Sequence, residues 1–363
     1  MNNPTKKKFV LIFICLCLCS QIYSQRKSGA VTGTVKEKSS GKALVNVNVF
    51  ISGTTLGTVT NNNGHFEING IPEGNQTLVI SMIGYKHEAK EIKFVENKKY
   101  QVDFFLEGVA YELETVEITE DIPEEWRDNL KVFKKYFLGM TDLSDKCIIE
   151  NEYYLNFAKD GSGNLEVECP VNITVVNNAL GYRIDSILLL FTCNESLGSV
   201  KYIYHTKFTE LNSKDEQERG EWLEKRKRSY LGSKKRFLRS VVEMDLFNNG
   251  YLIGQSFVPF DLKLNKNSKK KGVENFWIKE PKPVSNLDLL KYAEESKQFI
   301  LAFDHYLYVS NNITGDISWL YLPFGRAELD KFGEPINPMA IQAFGSFANY
   351  GTANLLPKDY EFE

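Results

Sequence analysis

Residues 57–68 read GTVTNNNGHFEI and hold one tight turn followed by an alternating strand pattern. The turn is residues 61–64, because Asn and Gly tolerate the positive φ angles of tight turns. Phe66 and Ile68 then alternate with polar residues, which is the period of a half-buried β-strand. We therefore expect a strand to begin directly after this turn.

The same combination of short strands and turns extends over residues 29–107. Apolar residues also alternate before the turn, at Val45, Val47, Val49 and Ile51. Strands at intervals of about ten residues are typical of an antiparallel β-sandwich. A segment of this length can bury one small hydrophobic core. We therefore predict a mainly β chain that starts with an antiparallel β-sandwich over residues 29–107.

The glycines of this region and their apolar neighbours resemble those of the carboxypeptidase regulatory-like domain. The resemblance is carried by Val31, Gly33, Val35, Gly41, Leu44, Val47, Val49, Gly57, Thr60, Gly64, Phe66, Gly74, Leu78, Gly84 and Tyr85. It implies a seven-stranded, transthyretin-like sandwich that is not itself catalytic. Many members have Asp after the position of Thr60, where this chain has Asn61, which also caps turns.

The composition limits the number of domains, and the N-terminal residues indicate the cellular compartment. The 363 residues are 42% hydrophobic and 25% charged, which is a globular composition and enough chain for about two domains. Three lysines at residues 6–8 precede a short apolar run at residues 9–19. We expect residues 1–24 to be a secretory signal peptide that is cleaved between Ser24 and Gln25, with residues 25–28 as the mature N-terminal tail. A transmembrane anchor is the alternative, although the run is short for one.

Proteins with this first domain also occur in the Gram-negative envelope, where it often precedes the plug of TonB-dependent receptors. Residues 113–119 resemble the energy-coupling segment found there, and an ordinary linker strand is the alternative. The chain after this segment is too short for such a receptor, whose barrel alone needs about twenty strands of about ten residues. The resemblance therefore implies a periplasmic or outer-membrane location, with the cell surface as a further option, and leaves open a role as an accessory partner of an outer-membrane transporter.

The region after the sandwich is predicted to be a linker at residues 108–123 and a larger α+β domain at residues 124–363. A helix is expected at residues 124–138, whose apolar residues share one face. These are Trp126, Leu130, Phe133 and Phe137. Strands are expected at residues 153–157, 171–176, 182–191, 199–208, 287–290, 299–309 and 317–322. Residues 325–332 are expected to pair back on the last of these, and residues 340–350 are weakly helical.

Residues 213–247 carry dense charge and predict two helices. Acid-to-base pairs four residues apart, such as Glu221 and Lys225, favour the first helix. Gly232 should end it, and Ser233 can cap a second helix that runs to Leu246. The inward face of the second helix is expected to consist of Phe237, Leu238, Val241 and Met244.

This helical pair supplies the candidate binding face of the protein. Its members are Trp222, Arg226, Tyr230, Arg236 and Arg239. Arginine can pair with carboxylates or phosphates in a two-pronged geometry, and aromatic rings can stack on a sugar or a peptide. The alternative is two surface helices with solvated charges and with aromatic residues that pack on the sheet. A block in other exported two-domain proteins of unassigned activity resembles this segment at Trp222, Arg226, Tyr230, Gly232, Ser233, Phe237, Leu238 and Arg239.

The search for catalytic or metal chemistry gives no site. None of the four histidines (His65, His87, His205 and His305) has the His-x-x-Glu spacing of a metallocarboxypeptidase, so we expect no metal and no cofactor. The Gly-x-Ser-x-Gly motif of many serine hydrolases does not occur.

Three cysteines follow the predicted signal peptide, and their wide spacing does not resemble a zinc site. They are Cys147, Cys169 and Cys193. We expect isolated buried thiols, although one disulfide among them remains open.

Two classes of function remain open. The favoured one is a non-catalytic envelope protein, in which the sandwich is an adaptor for a recognition domain that binds a protein, a peptide or a glycan. The other is an exported hydrolase with its site in the second domain. With a net charge of −3 the chain is not expected to bind nucleic acid. The sequence leaves the oligomeric state open.

Overall fold

The computed structural model describes residues 28–109, 122–196, 199–256, 282–295 and 298–360. The predicted signal peptide with its cleavage site at Ser24 and Gln25, and most of the predicted linker, lie outside these residues. Within the described ranges, no helix is both long enough and apolar enough to cross a membrane.

The N-terminal unit is a sandwich of one antiparallel sheet and one mixed sheet. Its strands are β1 (Ser28–Glu37), β2 (Asn48–Ile51), β3 (Gly57–Val59), β4 (His65–Pro72), β5 (Gly74–Ser81), β6 (Glu88–Phe94), β7 (Lys99–Gln101) and β8 (Phe104–Leu106). One sheet has the order β4-β1-β7, with β8 also paired to β1, and the other has the order β3-β2-β5-β6. Since β7 and β8 are consecutive segments that both run parallel to β1, they act together as a seventh strand. The predicted sandwich is confirmed.

The local sequence explains why this unit folds as it does. Residues of β1 are alternately buried and half-buried, as the pattern of Val31 and Val35 requires. Gly64 has a φ of +70° in the predicted turn before β4, where a side chain would be strained. Gly33 lies so close to the next strand that an added Cβ would fall 1.8 Å from the carbonyl oxygen of Val102. These two glycines are therefore required by the turn and by the close approach of the chain.

The next unit combines a helix and a six-stranded sheet. Its elements are α1 (Glu124–Leu138), β9 (Cys147–Ile149), β10 (Asn156–Lys159), β11 (Leu165–Glu168), β12 (Ile173–Asn177), β13 (Tyr182–Asn194) and β14 (Ser199–Glu210). The strand order is β10-β11-β13-β12-β9, and β14 pairs with β13. Phe133 and Phe137 of α1 are fully buried against the sheet, and the ring of Phe133 lies 4.9 Å from that of Phe191. The predicted helix and its inward face are confirmed.

The charged segment folds as the two predicted helices, α2 (Glu216–Leu231) and α3 (Lys234–Val242). Asp215 caps α2, and the Ser233 hydroxyl accepts a hydrogen bond from the Arg236 amide at the start of α3, as predicted. The second helix ends at Val242, four residues before the predicted end. Met244, expected to face inward, is 46% exposed because it lies beyond the helix with a φ of +58°.

The C-terminal part has a hydrophobic core of its own, so residues 124–363 contain two separate cores. Its elements after α3 are β15 (Tyr251–Ser256), β16 (Lys282–Pro283), α4 (Asn286–Leu289), β17 (Leu290–Ala293), β18 (Gln298–Leu301), β19 (Tyr306–Asn311), β20 (Ile317–Tyr321), β21 (Ala327–Leu329), β22 (Gln342–Gly345) and α5 (Ser346–Asn349). One sheet has the order β16-β15-β19-β20-β22, and the other has the order β17-β18-β21.

Four local predictions in this part were wrong. Residues 287–290 form α4 and the start of β17, because Ser285 and Asp288 make a capping box. Residues 299–309 are two strands, separated where His305 has a φ of +59°. Residues 325–332 contain β21, which pairs with β18 rather than with β20. Residues 340–350 contain the strand β22 before the short helix α5.

The sandwich is joined to the later units by backbone hydrogen bonds. The Gly53 amide donates to the Thr206 carbonyl at 2.7 Å, and the Phe208 amide donates to the Thr54 carbonyl at 3.0 Å. The Lys358 amide, close to the C-terminus, donates to the Gly53 carbonyl at 2.6 Å. One loop of the sandwich therefore contacts both β14 and the C-terminal segment.

Side chains also cross this junction. Phe50 and Val79 of the sandwich form a buried apolar cluster with Ile187 of β13. The Ser52 hydroxyl lies 3.2 Å from Nδ1 of His205. Burial lowers the pKa of His205 to about 4, with smaller contributions from the charges of His87 and Lys358. His205 is therefore neutral at pH 7 in the folded protein.

Candidate ligand-binding cavity

A cavity of about 800 Å³ lies where the second and third units meet. Its walls come from α1, β14, the junction of α2 and α3, β22, α5 and the C-terminal segment. The volume lies within the range of about 300–1,000 Å³ that is typical of sites for small ligands. The cavity is therefore large enough for a short segment of a polymer.

The charge of the cavity wall has one sign. Its cationic members are Lys201, Lys234, Lys235, Arg236, Arg239 and Lys358. No Asp or Glu of the described residues lines the cavity, although the chain has 47 acidic residues. A wall of this kind favours an anionic ligand, because a concave surface concentrates the field of its charges.

The other prominent component of the wall is tyrosine. The lining tyrosines are Tyr136, Tyr202, Tyr204, Tyr230, Tyr350 and Tyr360. The rings of Tyr202 and Tyr204 are stacked 5.5 Å apart, and those of Tyr230 and Tyr360 are 6.2 Å apart. Burial raises the pKa of both Tyr202 and Tyr204, so both hydroxyl groups stay protonated and can donate hydrogen bonds. The wall thus offers apolar ring faces with polar ends.

The start of α3 contributes three consecutive residues to the cavity: Ser233, Lys234 and Lys235. Burial lowers the pKa of both lysines, and the Glu334 carboxylate opposes this effect. The Nζ atom of Lys235 lies 3.6 Å from Glu334. The first amides of a helix also carry partial positive charge, which adds to that of the lysines.

Among the described residues, a buried hydroxyl beside this helix start lacks a hydrogen-bond partner. Ser229, in the last turn of α2, lines the cavity and is 2% exposed. Its Oγ atom has no hydrogen-bond partner within the described part of the chain. A buried polar group without a partner costs about 1–3 kcal/mol, which a ligand could recover.

Two sheet edges border the cavity from opposite units. Consecutive residues 199–202 of β14 line it, and so do residues 341–344, which include most of β22. Within the described ranges, β14 has one neighbouring strand, β13, and β22 has one neighbouring strand, β20. Edge strands present unpaired backbone N–H and C=O groups. The cavity is therefore bordered by backbone groups that can pair with a ligand.

The structure divides the predicted binding face into two environments. Trp222 is 6% exposed, and its Nε1 atom donates a hydrogen bond to the Asn178 carbonyl. Arg226 is 7% exposed, and its guanidinium donates to the carbonyls of Leu180 and Gly181. These two side chains attach α2 to the sheet and do not line the cavity.

The other predicted residues line the cavity but differ in how far they are already engaged. Arg236 is 7% exposed and contacts the Tyr251 hydroxyl and the Asn249 side chain. Arg239 is exposed and pairs with Glu243 at 2.8 Å. Tyr230 contributes its ring to the pair with Tyr360.

Sequence reasoning missed the larger part of this site. Lys201, Tyr202 and Tyr204 lie in a predicted strand, but their alternation gives no sign that the strand lies at a sheet edge. Lys234 follows the predicted cap Ser233 directly, and that cap is the signal that could have pointed to a cationic helix start.

Metal ligands and cysteine thiols were compared over the residues that the structure describes. No group of three or more His, Cys, Asp or Glu side chains in the described ranges could hold a metal ion. Cys147, Cys169 and Cys193 are free. Burial raises the pKa of Cys147 to about 12, and those of Cys169 and Cys193 to about 11, so all three stay protonated at neutral pH.

Comparison with known families identifies the first domain. Residues 31–118 match the family model of the CarboxypepD_reg-like domain, which confirms the resemblance found in the sequence. The remainder of the chain is unassigned. A search of curated proteins returned no similar sequence.

Solved structures give only distant likenesses. A 3-chlorocatechol 1,2-dioxygenase from Rhodococcus opacus is 13% identical over 23% of this chain, with a TM-score of 0.20. The chain spans 61% of that dioxygenase. A DUF3823 family protein from Parabacteroides merdae is 11% identical over 51% of this chain and 81% of its own, with a TM-score of 0.18. At these TM-scores the likenesses carry no functional conclusion.

Proposed function

We propose that this chain is a binding protein of the cell envelope whose ligand is anionic and occupies the cavity between its second and third units. The carboxypeptidase regulatory-like domain acts as an adaptor, and the rest of the chain acts as the recognition part. The single observation that carries the proposal is the cavity wall, which combines six cationic and six tyrosine side chains with no acidic one from the described residues.

Two features support a binding role over catalysis. The cationic groups of the wall are spread over β14, α3 and the C-terminal segment, which suits an extended anion. The three cysteines are protonated, and His205, at the junction with the sandwich, is not part of the wall. Such a wall can hold an anion through its cationic groups and its tyrosine hydroxyls.

The envelope location rests on the predicted signal peptide at residues 1–24 and on the type of the first domain. The backbone hydrogen bonds from Gly53 to Thr206 and to Lys358 support a fixed arrangement of adaptor and recognition part. The C-terminal segment both lines the cavity and contacts the sandwich. A ligand in the cavity would therefore be held at a defined position relative to the adaptor.

The proposal is tested by calorimetric titration of two anionic probes and their neutral counterparts. The probes are a short peptide of alternating valine and glutamate, and an oligosaccharide of galacturonic acid. The counterparts have glutamine for glutamate and galactose for galacturonic acid. We expect at least one anionic probe to bind about tenfold more tightly than its counterpart, since about 1.4 kcal/mol of charge interaction is enough for this.

A blocking variant locates the binding site. Ala348 is an exposed residue of α5 that lines the cavity, so Ala348→Trp adds a ring there without replacing a core side chain. Ala158→Trp makes the same change at an exposed position of β10 outside the cavity. Loss of binding in the first variant alone supports the proposal. Equal binding to both variants, or no binding of either anionic probe, would contradict it.

A further inference from the structure

We propose that the cavity takes an extended acidic peptide segment, which adds as a strand to the exposed edges of β14 and β22 and places a carboxylate at the start of α3. This inference rests on the proposed function and specifies the ligand. It follows from three features of the wall: two sheet edges, charge of one sign, and a buried hydroxyl without a partner.

The sheet edges favour a peptide because they offer backbone groups in a regular row. Strand addition uses main-chain hydrogen bonds for affinity and side-chain pockets for specificity. Residues 199–202 and 341–344 line the cavity consecutively, which is expected where the edge of a strand rather than one of its faces borders a cavity. A sugar cannot continue the ladder of either sheet, whereas an extended chain can.

The charge of the wall selects an acidic segment. Lys201 lies on the β14 side of the cavity, and Lys234 and Lys358 lie on the sides of α3 and the C-terminal segment. Successive side chains of an added strand point to opposite faces, so alternate glutamates share one face of the strand and leave the other face to apolar side chains. The tyrosine rings can pack against the intervening apolar side chains.

The start of α3 and Ser229 provide a place for one carboxylate. The Ser229 hydroxyl is buried, borders the cavity and has no partner in the described part of the chain. The first turn of α3 adds Lys234, Lys235 and the positive end of the helix. A carboxylate there can accept hydrogen bonds from the hydroxyl and from cationic or amide N–H groups.

The test uses three peptide probes and one sugar probe on the whole protein, with affinities from calorimetry. The parent peptide alternates valine and glutamate over about six residues, the length of a typical strand. The second has glutamine in place of glutamate, and the third has N-methyl groups on alternate backbone nitrogens, which block strand pairing. The sugar probe is the galacturonic acid oligosaccharide. We expect the second and third peptides each to bind about tenfold more weakly than the parent.

Matched variants separate the effect of the cavity's charges on affinity from the effect of the protein's net charge. The double variant Lys201→Gln with Lys234→Gln removes two cavity cations, and Lys38→Gln with Lys131→Gln removes two exposed cations elsewhere. We expect about tenfold weaker binding of the parent peptide to the first and an unchanged affinity for the second, since distant exposed charges are screened by salt.

The outcomes distinguish this inference from the proposed function. If the N-methylated peptide binds as well as the parent, strand addition is wrong. If only the sugar binds and Ala348→Trp abolishes that binding, the peptide inference is wrong while the proposed function stands. If neither the parent peptide nor the sugar binds, both fail.

Discussion

Replacing Arg226 by alanine tests whether α2 is held to the sheet by a buried guanidinium rather than offering it to a ligand. The Nε atom donates to the Leu180 carbonyl at 2.7 Å, and Nη2 donates to the Gly181 carbonyl at 3.3 Å. The guanidinium also lies over the ring of Tyr182, 4.0 Å from its centre, and Nη1 pairs with Glu210 at 2.7 Å. The alanine variant loses all four contacts.

The size of the effect follows from which partners water can reach. The Glu210 side chain is 60% exposed, so it regains water and its ion pair contributes little. The Leu180 carbonyl loses its charged donor in a buried place, at about 1–3 kcal/mol. The Gly181 carbonyl keeps the Leu211 amide as a donor, so its loss is about 1 kcal/mol, and the ring contact contributes about 1 kcal/mol. We therefore expect a loss of about 3–5 kcal/mol in the free energy of unfolding. This corresponds to a decrease of about 10 °C in Tm for a unit of this size.

Differential scanning calorimetry of Arg226→Ala, Arg226→Lys and Arg239→Ala provides the measurement. Lysine keeps the charge but cannot make the two-pronged contact, so Arg226→Lys should lie between the wild type and Arg226→Ala. Arg239 is exposed and pairs with the exposed Glu243, so Arg239→Ala should change Tm by less than about 2 °C. An Arg226→Ala variant that melts like Arg239→Ala would refute the structural role of Arg226.

Three further changes follow from the packing. Gly181→Ala should lower Tm strongly in the same calorimetric assay. An added Cβ would lie 2.2 Å from the ring of Trp222, and Gly181 has a φ of +68°, which strains any other residue. An unchanged Tm would contradict this contact. Ser229→Ala should keep or slightly raise Tm while weakening binding of the acidic peptide, because the buried hydroxyl that it removes has no partner among the described residues. A large loss of Tm would show a structural role instead. Burial lowers the pKa of His205 to about 4, so the unfolded chain binds a proton that the folded chain does not, and stability should fall as the pH drops from about 6.5 towards 4. His205→Gln should show a weaker pH dependence of the free energy of unfolding over this window, and an identical dependence would contradict the assignment.

The sequence was most informative where structure depends on local pattern. The alternation of Val31 and Val35, the turn at residues 61–64 and the capping serine Ser233 all predict what the structure contains. The same kind of signal was present at Ser285 and Asp288, but the apolar residues between and after them were interpreted as a strand. A capping box favours a helix start over a strand of the same composition.

The candidate site could not be predicted in the same way, because its parts are distant in sequence. Trp222 and Arg226 are four residues apart on one helix face, which fits either a binding face or a buried one. Their partners lie near residue 180, and only the folded chain shows that Gly181 leaves room for the indole. Likewise, the cavity combines β14, α3, β22 and the C-terminal segment, which no local pattern connects.

Hydrogen exchange of the backbone amides, measured with and without the acidic peptide, tests the central claim most directly. Strand addition in the cavity should slow exchange at residues 199–204 of β14 and 342–345 of β22, because their edge amides gain partners. Exchange in the strands of the N-terminal sandwich, which lie outside the cavity wall, should stay the same. Peptide binding that protects the sandwich, and leaves the edges of β14 and β22 unchanged, would contradict the account.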